Sequence, residues 1–317
     1  MIDNKYALSE LMGVGGSSKV YSAYCQDGTE CALKIIRKDK GYSDELSRRL
    51  VQNESFVMTD LGDHPNLVNS FGCNPDGVAQ LADGHHDIRY LVLEKCKNGS
   101  LSTIIRHTGP LEEFAAKFLF IQLCYATQHV HNKNYAHLDI KLENILLDDF
   151  FNAKLADLGT AINVEATLGF TNKRRGTPQY MAPEIKNKKG DEMIDATIAD
   201  VYSLGVCLHL LLTGEFPCED SFESNLSSLE TESSGDPTVP ESNKRVKARM
   251  QYLSEEARDL LEEMLEENAF FRLSIDEVLQ HPWLKDASFD GIQSVVYEEL
   301  SNRLDFVKSC QAKASDF

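Results

Sequence analysis

The stretch YAHLDIKLENILLDDFFNAKLADLG, residues 135–159, constrains this chain more than any other. Asp139, Lys141 and Asn144 fall close together, and an Asp157-Leu158-Gly159 triplet begins thirteen positions after Asn144. Apolar segments, Asn144-Ile145-Leu146-Leu147 and Lys154-Leu155-Ala156-Asp157, carry these polar groups, as expected where a chain leaves a helix and enters short strands. A lone Asp-x-Lys-x-x-Asn would be a weak signal, and a solvated loop would explain it equally well. Order, spacing and the apolar flanks favour a functional site.

With 317 residues the chain suits one two-lobed domain or two small ones, and core size imposes no limit. A formal net charge of −18 argues against nucleic acid or an anionic membrane as partner, because phosphates would meet a repulsive average field. The eight cysteines form no C-x-x-C pair and no small-domain framework, so a reducing, cytoplasmic setting is expected. Residues 1–12 show no signal-peptide pattern, and the longest apolar run, 201–212, is too short to span a bilayer.

Upstream lies Gly13-Val14-Gly15-Gly16-Ser17-Ser18-Lys19-Val20, preceded by Met12 and followed by a β-prone segment. Glycines there let a backbone approach a ligand without intervening Cβ atoms. A strand following them, where a dinucleotide fold wants a helix, sets this apart from the Rossmann signature. Lys34 interrupts the apolar segment Cys31-Ala32-Leu33-Lys34-Ile35-Ile36, which makes it either a local mismatch or a functional charge. Leu46, Leu50, Glu54 and Met58 recur every four positions and place Glu54 in the apolar stripe of a helix, where a carboxylate needs a partner; Lys34 is the natural one. Glu45 lies off that stripe and reads as solvated.

These motifs, in this order over residues 6–285, resemble those of eukaryotic protein kinases of the serine/threonine class. The resemblance implies an α+β, two-lobed fold: a smaller lobe over 6–94 with an antiparallel sheet and one helix, a hinge at 95–98, a mainly helical larger lobe over 99–285, and a tail over 286–317. It implies ATP and Mg2+ as cofactors and protein serine or threonine hydroxyls as acceptors. Asp139 would orient the hydroxyl and accept its proton, Lys141 would neutralise phosphoryl charge, and Asn144 and Asp157 would hold the metal. Met12, Gly13, Val14, Gly15 and Gly16 would cover the phosphates, with Ser18 standing at the third glycine position. Val20, Ala32 and Leu146 would enclose the adenine, Glu94 and Cys96 would bind its edge through backbone groups, and Leu93 would gate the pocket behind. Lys34, paired with Glu54, would contact the α- and β-phosphates.

Further along, residues 111–132 read as a long buried helix with Phe114, Phe118, Ile121 and Tyr125 on one face. Residues 73–89 read as a long polar hairpin loop, with His85 and His86 in a solvated turn and 90–93 as the next strand. Gly176-Thr177-Pro178 and the following residues to Glu184 resemble the family's segment whose threonine bonds to the catalytic aspartate and lysine. Asp200 would hold the catalytic-loop backbone, and Arg272 would pair with Glu184. The resemblance extends to calcium/calmodulin-dependent-kinase-like enzymes, some of which share His137-Leu138-Asp139, with leucine where most relatives carry arginine. Lys173 stands where relatives often carry a phosphorylated threonine, so the activation segment is expected to reach its working form without phosphate; Thr167 and Thr171 are the nearby alternatives.

Residues 218–244, rich in Ser, Glu, Asp and Pro, read as a mobile acidic insertion with a short helix near 222–229. In the tail, Val296, Leu300, Leu304 and Val307 have helical spacing, and the excess of acidic residues favours packing on the lobe over a calmodulin-binding segment. The regulatory partner and the substrate sequence are not legible. Glu143 matches a position that receives substrate arginine in basophilic relatives, while Ser100 and Leu210 depart from two others. Lys173, Arg174 and Arg175 read first as a solvated charge run and second as an attractor of acidic substrates. The rival function is a pseudokinase, a binding module of the same fold; Lys34, Glu54, Asp139, Asn144 and Asp157 are all present, which favours the enzyme.

Overall fold

The computed structural model describes residues 1–82, 84–217, 246, 248–285 and 291–315. The smaller lobe is one antiparallel sheet of β1 (Tyr6–Val14), β2 (Ser18–Cys25), β3 (Glu30–Ile36), β4 (Ser70–Leu81) and β5 (Gly84–Leu93), in the order β1-β2-β3-β5-β4. Its helix α1 (Asp44–Leu61) begins where Ser43 accepts the Leu46 amide and ends at Gly62, whose φ of 70° takes the chain out of the helix. The buried face of α1 is Ser47, Val51, Glu54, Val57, Met58 and Leu61, and Leu46 is left 43% exposed. Glu54 and Met58 face inward as the periodicity predicts and Leu50 packs against the core from the edge, but Leu46 at the start of the stripe does not reach it. A row of every fourth residue drifts about 40° per step around a 3.6-residue helix, so only its later members reach the sheet.

The long loop expected over 73–89 is instead paired strand. Pairing of β4 with β5 runs out to Leu81 opposite Gly84, and His85 and His86 stand opposite Gln80 and Ala79. The chain's first residues explain this. Ile2, 1% exposed, bridges to Ala79, and the Asp3 carboxylate accepts the Tyr90 hydroxyl, the Asn74 amide and the Val78 amide, each at 2.6 Å. Polar residues tolerate strand pairing when the terminus supplies their partners.

The larger lobe contains α2 (Leu101–Thr108), α3 (Glu113–Asn132), α4 (Pro183–Lys186), α5 (Ala196–Thr213), α6 (Glu255–Met264), α7 (Ile275–Gln280), α8 (Pro282–Lys285) and α9 (Ile292–Ser315). On α3 the buried residues are mostly Ala115, Ala116, Leu119, Phe120, Leu123, Cys124 and Val130, while Phe114 and Tyr125 are 38% and 47% exposed. Of the face expected to be buried, Phe118 is in the core and Ile121 packs against it, whereas Phe114 and Tyr125 lie at the edge. Helix α5 starts at Asp195, whose carboxylate accepts the Thr197 and Ile198 amides. By length and composition it could cross a membrane, but 83% of its 18 residues are buried inside the protein, as befits a central core helix.

The tail forms α9 and packs on α2 and α3, with Val296, Leu300 and Val307 at most 1% exposed. Arg303 donates to the carbonyls of Thr108, Gly109 and Pro110 at 3.3, 3.2 and 2.9 Å, satisfying acceptors just past the end of α2. The insertion read at 218–244 and its short helix lie outside the described residues.

Candidate active site

Strand β3 places Lys34 between Val20 of β2 and Leu91 of β5. Its ammonium lies 2.7 Å from both Glu54 carboxylate oxygens and 2.7 Å from Asp157 Oδ1. Burial alone would lower the Lys34 pKa, but the two carboxylates outweigh it and the pKa rises, so the lysine stays charged. Burial raises Glu54 despite Lys34 beside it, and Asp157 is lowered because Lys34 overcomes its desolvation. Glu45, by contrast, pairs with Arg49 on the exposed side of α1.

The loop after β6 (Tyr135–Ala136) is held from below. Asp200, fully buried on α5, accepts the amides of His137 and Leu138, both at 2.7 Å, and the His131 ring at 3.0 Å. The His137 ring reaches the Ala156 carbonyl at 3.0 Å, tying this loop to the strand before Asp157. Leu138 and Asp157 both adopt left-handed backbone, with φ of 61° and 62°. Such residues persist only where surrounding bonds fix them. Leu138 sits in an apolar cluster with Val164, Met181, Ile185 and Ile194, which joins the loop to the segment that follows Gly159.

Asp139 is the focus of the polar network. Thr177 Oγ1 donates to its Oδ1 at 2.7 Å, and Lys141 donates to its Oδ2 at 2.6 Å and to Thr177 Oγ1 at 2.8 Å. Asn144 donates to the Asp139 carbonyl at 2.8 Å. Gly176 makes the approach of Thr177 possible: its φ is 114°, and a Cβ there would lie 2.7 Å from the Leu138 carbonyl oxygen. A Cβ at Gly159 would stand 3.3 Å from the Asp157 and Glu54 carboxylates, so the triplet's glycine protects the lysine's partners.

The residues present fit a divalent metal. Lys34 takes only Oδ1 of Asp157, and Asn144 uses its NH2 group, so Asp157 Oδ2 and Asn144 Oδ1 are without hydrogen bonds among the described residues. Oxygen donors of this kind suit magnesium, which is usually bound by one or two carboxylates together with substrate phosphates. Among the described residues no group of three or more His, Cys, Asp or Glu forms an all-protein metal cage.

At the hairpin between β1 and β2 the Gly15 amide donates to the Ser18 carbonyl at 2.8 Å, and Gly13 stands opposite Val20. Gly16 has nothing within 4 Å of a Cβ position, so its openness is not required by internal packing. Met12 and Val14 are 38% and 57% exposed. Ala32 pairs with Leu93, while Leu146 lies on β7 (Ile145–Leu147) opposite Lys154 of β8 (Ala153–Leu155). In the hinge, Cys96 is 2% exposed and its amide has no acceptor among the described residues, leaving a donor for a ligand's edge.

Three features escaped the sequence reading. Lys154 meets the Glu94 carboxylate at 2.9 Å, fixing the residue before the hinge to β8, and the anomaly that exposed Lys34, a lysine inside an apolar strand, could have found it. Arg37 donates to the Gly15 carbonyl at 3.0 Å and tethers the glycine hairpin. His131 joins Asp200, with no local signal in the sequence. The Glu184 carboxylate is held by both Arg272 Nη atoms at 2.7 and 3.0 Å, the structural pair that the resemblance implies.

The protein kinase domain family model matches residues 6–284. CBL-interacting protein kinase 20 of Oryza sativa subsp. japonica is 33% identical over 301 residues, covering 90% of this chain and 58% of its own length. CBL-interacting serine/threonine-protein kinase 7 of Arabidopsis thaliana is 30% identical over 283 residues, covering 89% and 60%. The chain thus spans about three fifths of the length of these curated relatives.

Proposed function

This chain belongs to the protein kinase domain family, and from that premise we propose that it transfers the γ-phosphoryl group of ATP to serine or threonine hydroxyls of proteins. The observation that carries this reading is the Asp139 carboxylate held between Thr177 and Lys141, with Asn144 fixing the loop from the other side. An acceptor hydroxyl placed on Asp139 gives up its proton to that carboxylate as its oxygen attacks the γ-phosphorus and the bond to the β-phosphate oxygen breaks. Lys141 offsets charge on the group in transit. Lys34, kept cationic by Glu54 and Asp157, holds the α- and β-phosphates, and the free Cys96 amide and Glu94 carbonyl take the adenine edge. The metal we propose is magnesium on Asn144 and Asp157, where it would neutralise phosphate charge.

The experiment is transfer of labelled γ-phosphate to a generic protein substrate with magnesium and ATP. Asp139→Asn is expected to lose most of the activity while still binding nucleotide. Equal, negligible transfer by wild type and Asp139→Asn, with nucleotide binding intact, would instead identify a pseudokinase.

Placement in the calcium/calmodulin-dependent-kinase-like group belongs to the same proposal and is supported by His137-Leu138-Asp139. So is a cytoplasmic setting, supported by cysteine spacing that offers no disulfide framework. We also assign control to a protein partner. The relatives' names record interaction with CBL, and Leu138 and Lys173 remove the parts of a phosphate switch.

A further inference from the structure

Just before Thr177 the chain carries a short run of cations, and more follow until Asp191 and Glu192 restore the acidic balance. The protein has 50 acidic and 32 basic residues, yet residues 173–189 hold six cations, Lys173, Arg174, Arg175, Lys186, Lys188 and Lys189, and one carboxylate, Glu184. Arg272 already occupies Glu184. Among the described residues no ion pair engages any of the six. Arg175 is turned to the Thr160 carbonyl at 2.9 Å, whereas Lys173 and Arg174 are exposed. Arg174 lies three residues before Thr177, whose hydroxyl bonds to Asp139. Three extended residues span at most about 10 Å, so Arg174 is within a few substrate positions of any hydroxyl on Asp139.

A second observation concerns the carboxylate four residues after Asp139. Ser102 Oγ donates to Glu143 Oε1 at 3.1 Å, and Tyr180 OH donates to Oε2 at 3.1 Å. Arg106 stands 3.6 Å from Oε1 and is itself steadied by a 3.0 Å bond to Ser102. Each oxygen accepts one hydrogen bond, and Arg106 stands beside the same carboxylate, so a substrate cation would have to share Glu143 with the chain's own arginine.

We propose that the substrates carry aspartate or glutamate next to the acceptor hydroxyl, read by Lys173 and Arg174, and that Glu143, held by Ser102, Tyr180 and Arg106, selects no substrate cation. This rests on the kinase reading and deepens it. A local positive field in an otherwise acidic molecule favours encounter with acidic segments and discourages basic ones, a preference that weakens as salt rises.

The test compares kcat/KM for three serine peptides that differ only in flanking residues: acidic, neutral and arginine-bearing. The acidic peptide is expected to exceed the neutral one by roughly tenfold at low salt, as two exposed charge pairs allow, and the margin should shrink in high salt. The double variant Lys173→Glu, Arg174→Glu should abolish or invert the ratio. Arg106→Ala should raise kcat/KM for the arginine-bearing peptide by releasing Glu143. Preference for the arginine peptide by the wild type, or equal use of all three, overturns the inference while leaving the kinase reading intact. An equal loss on acidic and neutral peptides in the double variant also overturns it, since the two cations would then serve the conformation of their own segment. No transfer to any peptide or protein removes both readings.

Discussion

Lys34 Nζ stands 2.7 Å from both oxygens of Glu54, with 7% of the lysine side chain and 5% of the glutamate side chain exposed. A buried charge of this kind is costly unless its partner is present, so the pair specifies where α1 sits against β3. Glu54→Gln halves the lysine's compensation and leaves Asp157 as its only anion. Turnover is expected to fall about tenfold to a hundredfold, because phosphates held out of line lose the benefit of orientation. Steady-state kinetics check this, and near-normal turnover would count against the pair's role.

Leu138 replaces a charge with packing. Its cluster with Val164 and Met181 secures the activation segment by apolar contact, which needs no phosphate. The two nearby threonines are already employed: Thr171 is 6% exposed and accepts the Lys173 amide at 3.1 Å, and Thr167 donates to the Phe170 carbonyl at 2.5 Å. Phosphatase-treated protein is therefore expected to retain its turnover. Leu138→Arg should destabilise the larger lobe by about 2–4 kcal/mol, through an uncompensated charge in an apolar site, and a thermal melt reads the loss.

His209 on α5 gives a pH dependence with a defined sign. Its Nδ1 donates to the Glu215 carbonyl at 2.8 Å, while Nε2 is buried without a partner. Burial lowers its pKa from 6.5 to about 4, so below 6.5 the unfolded chain takes up a proton that the folded chain refuses. Stability contributed by this group is present above pH 6.5 and declines as pH falls toward 4, by about 1.4 kcal/mol per unit. Denaturant unfolding at pH 7.5 and 5.5 should show a difference about 1.3 kcal/mol smaller in His209→Gln than in the wild type.

Arg303 ties α9 to the end of α2 through three carbonyls. Arg303→Ala should lower stability by about 1–3 kcal/mol, since it leaves those acceptors unpaired. Removing residues 291–317 should cost more, because Val296, Leu300 and Val307 each bury surface worth about 1.5–3 kcal/mol. Calorimetry on both variants ranks the two losses, and an unchanged melting temperature on truncation would contradict the packing seen here.

The fold was legible through the resemblance that the ordered motifs carry, and the local signals agree with it: glycines before a strand, a lysine in an apolar run, a glutamate in a helix. What failed depended on distance along the chain. Strand pairing over 73–89 is stabilised by residues 1–3, which no local window contains. On α3 the spacing of Phe114, Phe118, Ile121 and Tyr125 marks one face, but the buried arc is centred on Leu119, Phe120 and Leu123 and takes in only Phe118 and part of Ile121. Among site residues, Lys34 and Glu54 could be paired from helical periodicity, and Asp139 with Thr177 through the family resemblance. Arg37, His131 and Lys154 act on backbone or on carboxylates fixed by other elements, and their partners are set only by the closed structure.

Asp200 carries a consequence for how this protein comes apart. The amides of His137 and Leu138 end on a carboxylate that belongs to α5, most of whose residues are buried. Segments anchored this way cannot open by fraying, since releasing them strands a buried charge. Hydrogen exchange at these two amides should therefore follow the lobe's global unfolding, far slower than at the glycine hairpin. The loop that bears Asp139 then survives for as long as the lobe is folded, and heat inactivation should coincide with loss of the lobe itself, with no earlier local step.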